Sequence, residues 1–113
     1  MIERPSSPDE GEVVMHARVS TYQGGDPDKI VEGFKSVTTQ LEAMDGFSHA
    51  LFLVDPKSGN AMTITVWDSE EALNAGAAQA SKLRQQGTQP SGASIGSVEH
   101  YEVAMTVGDP AHV

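Results

Sequence analysis

The chain has 113 residues, enough for one packed core and too few for two of ordinary size. Sixteen acids against seven Lys and Arg give a formal net charge of -9, which argues against binding to a phosphate backbone or to anionic membranes. The absence of cysteine rules out disulfides, thiolate chemistry and cysteine-held metal, and no apolar run approaches the roughly 18–20 residues of a membrane span.

Residues 1–12 carry Pro5, Pro8 and several acids without an apolar core. They read as a loose tail rather than a secretory signal, and the protein as cytoplasmic. Residues 13–22 then alternate, with Val13, Met15, Ala17, Val19 and Thr21 on one side and His16, Arg18, Ser20 and Tyr22 on the other. That period of two predicts a strand with one greasy and one polar face. Gly24-Gly25 ends it, and Asp26-Pro27 offers a helix N-cap followed by proline at the first helical position. Ile30, Phe34, Val37, Leu41 and Met44 follow at spacings of four and three, one apolar stripe on a helix ending near Asp45-Gly46.

Two apolar stretches, 47–55 and 61–68, flank Pro56-Lys57-Ser58-Gly59, a hairpin turn by composition. With Asp55 opposite Asn60, one face collects Phe47, His49, Leu51, Leu53, Met62, Ile64 and Val66. The other collects Ser48, Ala50, Phe52, Val54, Ala61, Thr63, Thr65 and Trp67. Both faces are apolar, so both need cover. Asp68-Ser69-Glu70-Glu71 suits a helix N-terminus, which Leu73, Gly76, Ala77, Ala80 and Leu83 continue with small residues. Residues 87–96 read as a Gly-, Ser- and Pro-rich loop, and 98–107 as a last alternating strand. Residues 13–107 are thus expected to form one domain, with a second loose tail at 108–113.

The order strand, helix, strand, strand, helix, strand predicts an α+β fold. Right-handed crossovers give a four-stranded antiparallel sheet with two helices on one face. Those helices leave the second sheet face bare, and Phe52, Val54 and Trp67 are expected on it. A second copy of the chain would cover such a patch about a two-fold axis, so a homodimer through the sheet face is expected.

The run Met62-Thr63-Ile64-Thr65-Val66-Trp67-Asp68-Ser69-Glu70-Glu71-Ala72-Leu73 resembles the strand-to-helix segment of the antibiotic biosynthesis monooxygenase family. Gly46-Phe47 and Asp55-Pro56-Lys57-Ser58-Gly59 look like that family's second strand and hairpin. The resemblance covers roughly 13–107 and implies a ferredoxin-like βαββαβ subunit of a dimeric α/β barrel. It implies a cofactor-free oxygenase or a haem-degrading relative, and a pocket lined by Trp67. The haem-degrading branch places a histidine on the second helix and an asparagine on the first strand. Here the second helix reads Ala72-Leu73-Asn74-Ala75-Gly76-Ala77-Ala78-Gln79-Ala80 and the first strand has no asparagine, so no haem and no other cofactor is expected.

Four residues are the candidate catalytic set: His49, Trp67, Arg18 and Tyr101. The Trp67 ring can stack on a flat substrate, although packing at a core or interface is the commoner role of tryptophan. Histidine as a residue type has a reference pKa near neutrality, so a histidine at position 49 can act as a base, or can sit half-buried against backbone. Arg18 can hold a substrate oxyanion or pair with one of the many acids. Tyr101, like Tyr22, can donate a hydrogen bond or simply pack. His16 and His100, on strands expected to be neighbours, also read as a surface pair. The four histidines, His16, His49, His100 and His112, lie at no short ligand spacing, and Gly24-Gly25 lacks the Lys-Ser/Thr of a phosphate loop. Two functions stay open: a cofactor-independent monooxygenase using O2 on a small aromatic or polyketide-like compound, and a non-catalytic homodimeric ligand-binding or structural domain.

Overall fold

Strand β1 spans His16–Gln23, and its neighbours in space come from opposite ends of the chain. The structure, a computed structural model, describes residues 14–108. Apart from Gly108, the two expected tails lie outside the described residues, as does Val13.

Helix α1, Pro27–Glu42, begins where Asp26 accepts hydrogen bonds from the backbone N–H groups of Asp28 and Lys29. Its buried stripe is Ile30, Gly33, Phe34, Val37 and Leu41, as the spacing predicts. Each large side chain buried there contributes about 1.5–3 kcal/mol relative to exposure. Strands β2, Phe47–Val54, and β3, Ala61–Trp67, form the hairpin. The Asp55 N–H donates to the Asn60 carbonyl at 2.8 Å, and Gly59 supplies the left-handed turn residue at φ 78°.

The sheet order is β2-β3-β1-β4, all antiparallel, which is the ferredoxin-like arrangement. Strand β4, Ser94–Glu102, lies on the outer edge and is exposed along its whole length. It starts earlier than the composition suggests because Ser94 and Ile95 pair with Gln23 and Tyr22 beyond a bulge in the ladder. Backbone pairing there outweighs the low strand propensity of Ser and Gly. The Thr21 hydroxyl supports it by accepting the Ser97 N–H at 2.9 Å. At its far end β4 stops at Glu102, and Val103 N–H bonds to the Met15 carbonyl.

The second helical region also departs from expectation. It is two helices, α2 (Glu70–Ala75) and α3 (Ala77–Thr88), broken at Gly76 and followed by a 3-10 turn at Gln89–Ser91. Ser69 caps α2 by accepting the Ala72 N–H at 3.0 Å. A side chain at Gly76 would collide with Met44, whose methyl lies 2.6 Å from the Cβ position.

The expectation of which face lies bare is corrected. The two faces of the hairpin hold the expected residues, except that a ladder shift brings Phe47 opposite Trp67. The helices cover the other face, however. Ala50, Phe52 and Val54 pack against the α1 and α3 core, and Trp67 is fully buried. The bare face instead carries Leu51 and Leu53, 41% and 45% exposed, with Met62, Ile64, Val19 and His49. Hydropathy could not decide this, because both faces of the hairpin are greasy. The hand of the crossovers decides it. The same choice turns the polar residues of β1 inward, so Arg18, Ser20 and Tyr22 lie beneath the helices.

Candidate active site

A narrow cavity, open to solvent on one side, lies between the sheet and the α1–α3 pair. Phe34, Val37 and Leu41 from α1, Ala80 and Leu83 from α3, and Phe52 from β2 make its walls apolar. Polar residues complete the lining, Arg18, Ser20 and Tyr22 from β1 as its floor beside Thr63 and Thr65 from β3, although nearly all the surface facing the space is apolar. Arg84 adds a second guanidinium. No carboxylate lines the cavity among the described residues. The space is narrow, with water-sized spheres centring in only ≈ 40 Å³ of it, so a ring-sized ligand needs side-chain movement to enter.

Arg18 is the centre of this floor. It is 3% exposed, and its guanidinium is held on three sides. Nη2 donates to the Leu73 carbonyl at 2.7 Å, Nε donates to His100 Nε2 at 3.2 Å, and the Trp67 ring lies 5.7 Å beneath the guanidinium carbon. Nη1 has no hydrogen-bond partner among the described residues. Burial lowers the pKa of Arg18, and the like charge of Arg84 lowers it further. A buried cation held by neutral groups costs several kcal/mol unless an anion joins it.

The hydroxyls around it add donors. Trp67 Nε1 donates to Thr65 Oγ1 at 3.0 Å, which leaves the Thr65 proton for another acceptor. Tyr22 and Thr63 share one hydrogen bond at 3.2 Å, so one of their two protons stays free. Phe34 supports the aromatic wall, its ring 5.4 Å from Tyr22 and 5.0 Å from Phe52.

The candidate residues divide between the two sides of the sheet. Arg18 lines the cavity, and Trp67 sits directly behind it, itself packed edge-on against Phe47 at 5.5 Å. His49 and Trp67 lie on opposite faces of the sheet and share no void. His49 pairs with Val66 on the bare face, and its Nδ1 lies 2.9 Å from Ser48 Oγ. Tyr101 is 52% exposed on that same side, paired with Ala17 and hydrogen-bonded to Glu99. Both follow from the reversal of faces. His16 and His100 are on neighbouring strands as expected, but His100 faces Arg18 across the ladder while His16 faces Glu102. Burial first, then the charges of Arg18 and Arg84, hold His100 below the ordinary histidine value. Ser20, Thr63, Thr65 and Arg84 escaped the sequence reading. Their signal was a polar row on a central strand, which only a lined cavity or water can satisfy.

Among the described residues no group of three or more His, Cys, Asp or Glu is placed to hold a metal, and no helix is long and apolar enough to cross a membrane. The helices over the cavity carry no histidine, so the residues do not fit the haem ligation that the resemblance raises for one branch.

Comparison with known proteins places this architecture. The fold is the ferredoxin-like α+β fold of the antibiotic biosynthesis monooxygenase-like proteins. SnoaB, a cofactor-independent oxygenase from Streptomyces nogalater, superposes with a TM-score of 0.61 at 17% identity, covering 86% of this chain and 98% of its own. The monooxygenase from the gene ActVA-Orf6 of Streptomyces coelicolor, solved with the ligand nanaomycin D, gives 0.59 at 18% identity over 92% and 97%. The haem-degrading protein Rv3592 of Mycobacterium tuberculosis gives 0.60 at 21% identity over 85% and 98%. No protein-family profile matches the chain, and no curated protein does.

Proposed function

We propose that this protein is a cofactor-independent monooxygenase of the cytoplasm acting on a small aromatic, polyketide-like compound. The observation that carries the reading is the free Nη1 of buried Arg18 in an apolar cavity without a carboxylate. The fold it shares with SnoaB and the ActVA-Orf6 protein supports it by analogy.

In an anthrone-type substrate the ring methylene loses a proton to water to give an enolate, whose oxygen accepts from Arg18. Holding that oxyanion lowers the cost of forming it. The enolate carbon donates electrons to O2 and becomes a hydroperoxide after taking up a proton. Loss of water then leaves a carbonyl, so CH2 and O2 become C=O and H2O. Trp67 keeps the Arg18 guanidinium in place from behind. His49 and Tyr101 have no part in this scheme, because the β-sheet separates them from the cavity.

The protein works as a homodimer in this proposal, paired through the bare sheet face. Support comes from Leu51, Leu53, Met62, Ile64 and Val19, an apolar group that no helix among the described residues covers. A two-fold pair buries the same patch on both copies.

The test is oxygen uptake with anthrone or dihydroxynaphthalene compounds. Arg18→Gln is expected to lower kcat/KM by about 100-fold or more, the scale of removing one oxyanion donor. Trp67→Phe reduces turnover, and His49→Ala leaves it unchanged. No uptake with any such compound favours the alternative, a non-catalytic ligand-binding domain of the same fold. Equal activity of wild type and Arg18→Gln removes Arg18 from the chemistry.

A further inference from the structure

We infer that the cavity selects ligands that already carry an oxyanion on a flat aromatic frame, with Arg18 Nη1 as the recognising donor. As a statement about substrate, this rests on the oxygenase reading above. As a statement about binding, it stands alone.

Beside the cavity, the donors without an acceptor among the described residues are the two N–H of Arg18 Nη1, the Thr65 hydroxyl, and one hydroxyl of the Tyr22–Thr63 pair. Arg84 adds positive charge to the lining, and no acid opposes it there. A neutral amide brings no charge to offset the buried guanidinium. A carboxylate or phenolate brings acceptors alone. The walls set the remainder of the ligand, since Phe34, Phe52 and Leu83 offer apolar surfaces against which a ring can pack once these side chains move apart.

The guanidinium is also fixed in its aim. His100 Nε2 accepts from Nε and the Leu73 carbonyl accepts from Nη2, so rotation that would turn Nη1 elsewhere breaks two bonds. The short α2 makes this possible. It ends at Ala75, next to the break at Gly76, and its Leu73 carbonyl faces Arg18.

The overall charge sharpens the test. A protein of formal charge -9 repels anions from its general surface, so stoichiometric anion binding reports a local positive site. Calorimetric titration of the full chain at neutral pH compares 2-naphthoate with 2-naphthamide, which has the same shape and no charge. The expected result is one site per chain, with naphthoate tighter by about tenfold or more, the scale of a charge-assisted hydrogen bond. Arg18→Gln is expected to abolish the preference, and Arg84→Gln to reduce it several-fold. Emission of Trp67, the only tryptophan, checks that each variant is folded and shifts on naphthoate binding to wild type. 2-Naphthol run in parallel tells the source of the oxyanion: a naphtholate absorption spectrum in the bound state assigns it to an ionised hydroxyl, and its absence to a carboxylate.

Equal affinity of naphthoate and naphthamide for the wild-type protein overturns the inference without any variant. So does failure of both to bind at millimolar concentration. Oxygen uptake that persists beside such a result leaves the oxygenase proposal standing. Selective naphthoate binding without oxygen uptake on any substrate retains the anion site and sinks the oxygenase.

Discussion

Gly33 and Gly87 meet where α1 crosses α3, and they separate two effects that usually travel together. Alanine at either position favours the helix by up to about 1 kcal/mol. At Gly33 the new Cβ would fall on the Gly87 carbonyl, 2.8 Å from its carbon and far inside contact with its oxygen. Ordinary contacts to a Cβ begin near 3.4 Å and the oxygen would lie well short of that, so the helices must part by about 1.5 Å. Overpacking of that kind costs about 1–3 kcal/mol. Backbone cannot swing aside, so Gly33→Ala belongs at the upper end, a net loss of about 2 kcal/mol after the propensity gain. At Gly87 the nearest atom is a Phe34 ring carbon at 3.3 Å, which can tilt. Gly87→Ala is therefore expected within about 0.5 kcal/mol of wild type, the propensity gain set against a small ring shift. Urea denaturation with a free slope reads both. The same crossing sets the spacing of the cavity walls, so Gly33→Ala should also weaken naphthoate binding. A Gly33→Ala protein as stable as wild type, with an unchanged slope, would refute the reasoning about this contact.

Leu53→Glu places a charge in the bare sheet face and is expected to shift a homodimer to monomer in sedimentation at micromolar concentration. A wild-type protein that is already monomeric there removes the pairing proposal. His100 is expected to titrate, by NMR of its ring, below the ordinary value of 6.5 because burial and the two arginines oppose its charge. The unfolded chain then binds the proton first, so this stabilising contribution is complete above about pH 6.5 and is lost as pH falls through the folded value. Protonated His100 can no longer accept from Arg18 Nε, and Arg18→Gln should raise the His100 pKa; a titration at or above the ordinary value would count against the pair.

Much of the architecture was legible because it rests on local rules. The Asp26 cap, the α1 stripe from Ile30 to Leu41, the Asp55–Asn60 hairpin and the Ser69 cap each depend on residues within a few positions of one another. The break at Gly76 and the early start of β4 were not legible, since they depend on Met44 packing into a notch and on a bulged ladder with β1. Of the candidate site, Arg18 and Trp67 come together while His49 and Tyr101 fall on the opposite side. The alternation named the residues on each face correctly, apart from Phe47, and was silent on which face the helices take.

Sequence alone therefore determined the order of elements, their caps and the need to cover a hairpin greasy on both sides. Only the tertiary structure decided that the polar row of β1 turns inward. Residues 18, 63, 65 and 84 are far apart in the chain, and nothing local ties their directions together. A crossover of one hand brings them around one cavity, where a guanidinium keeps one nitrogen without a partner.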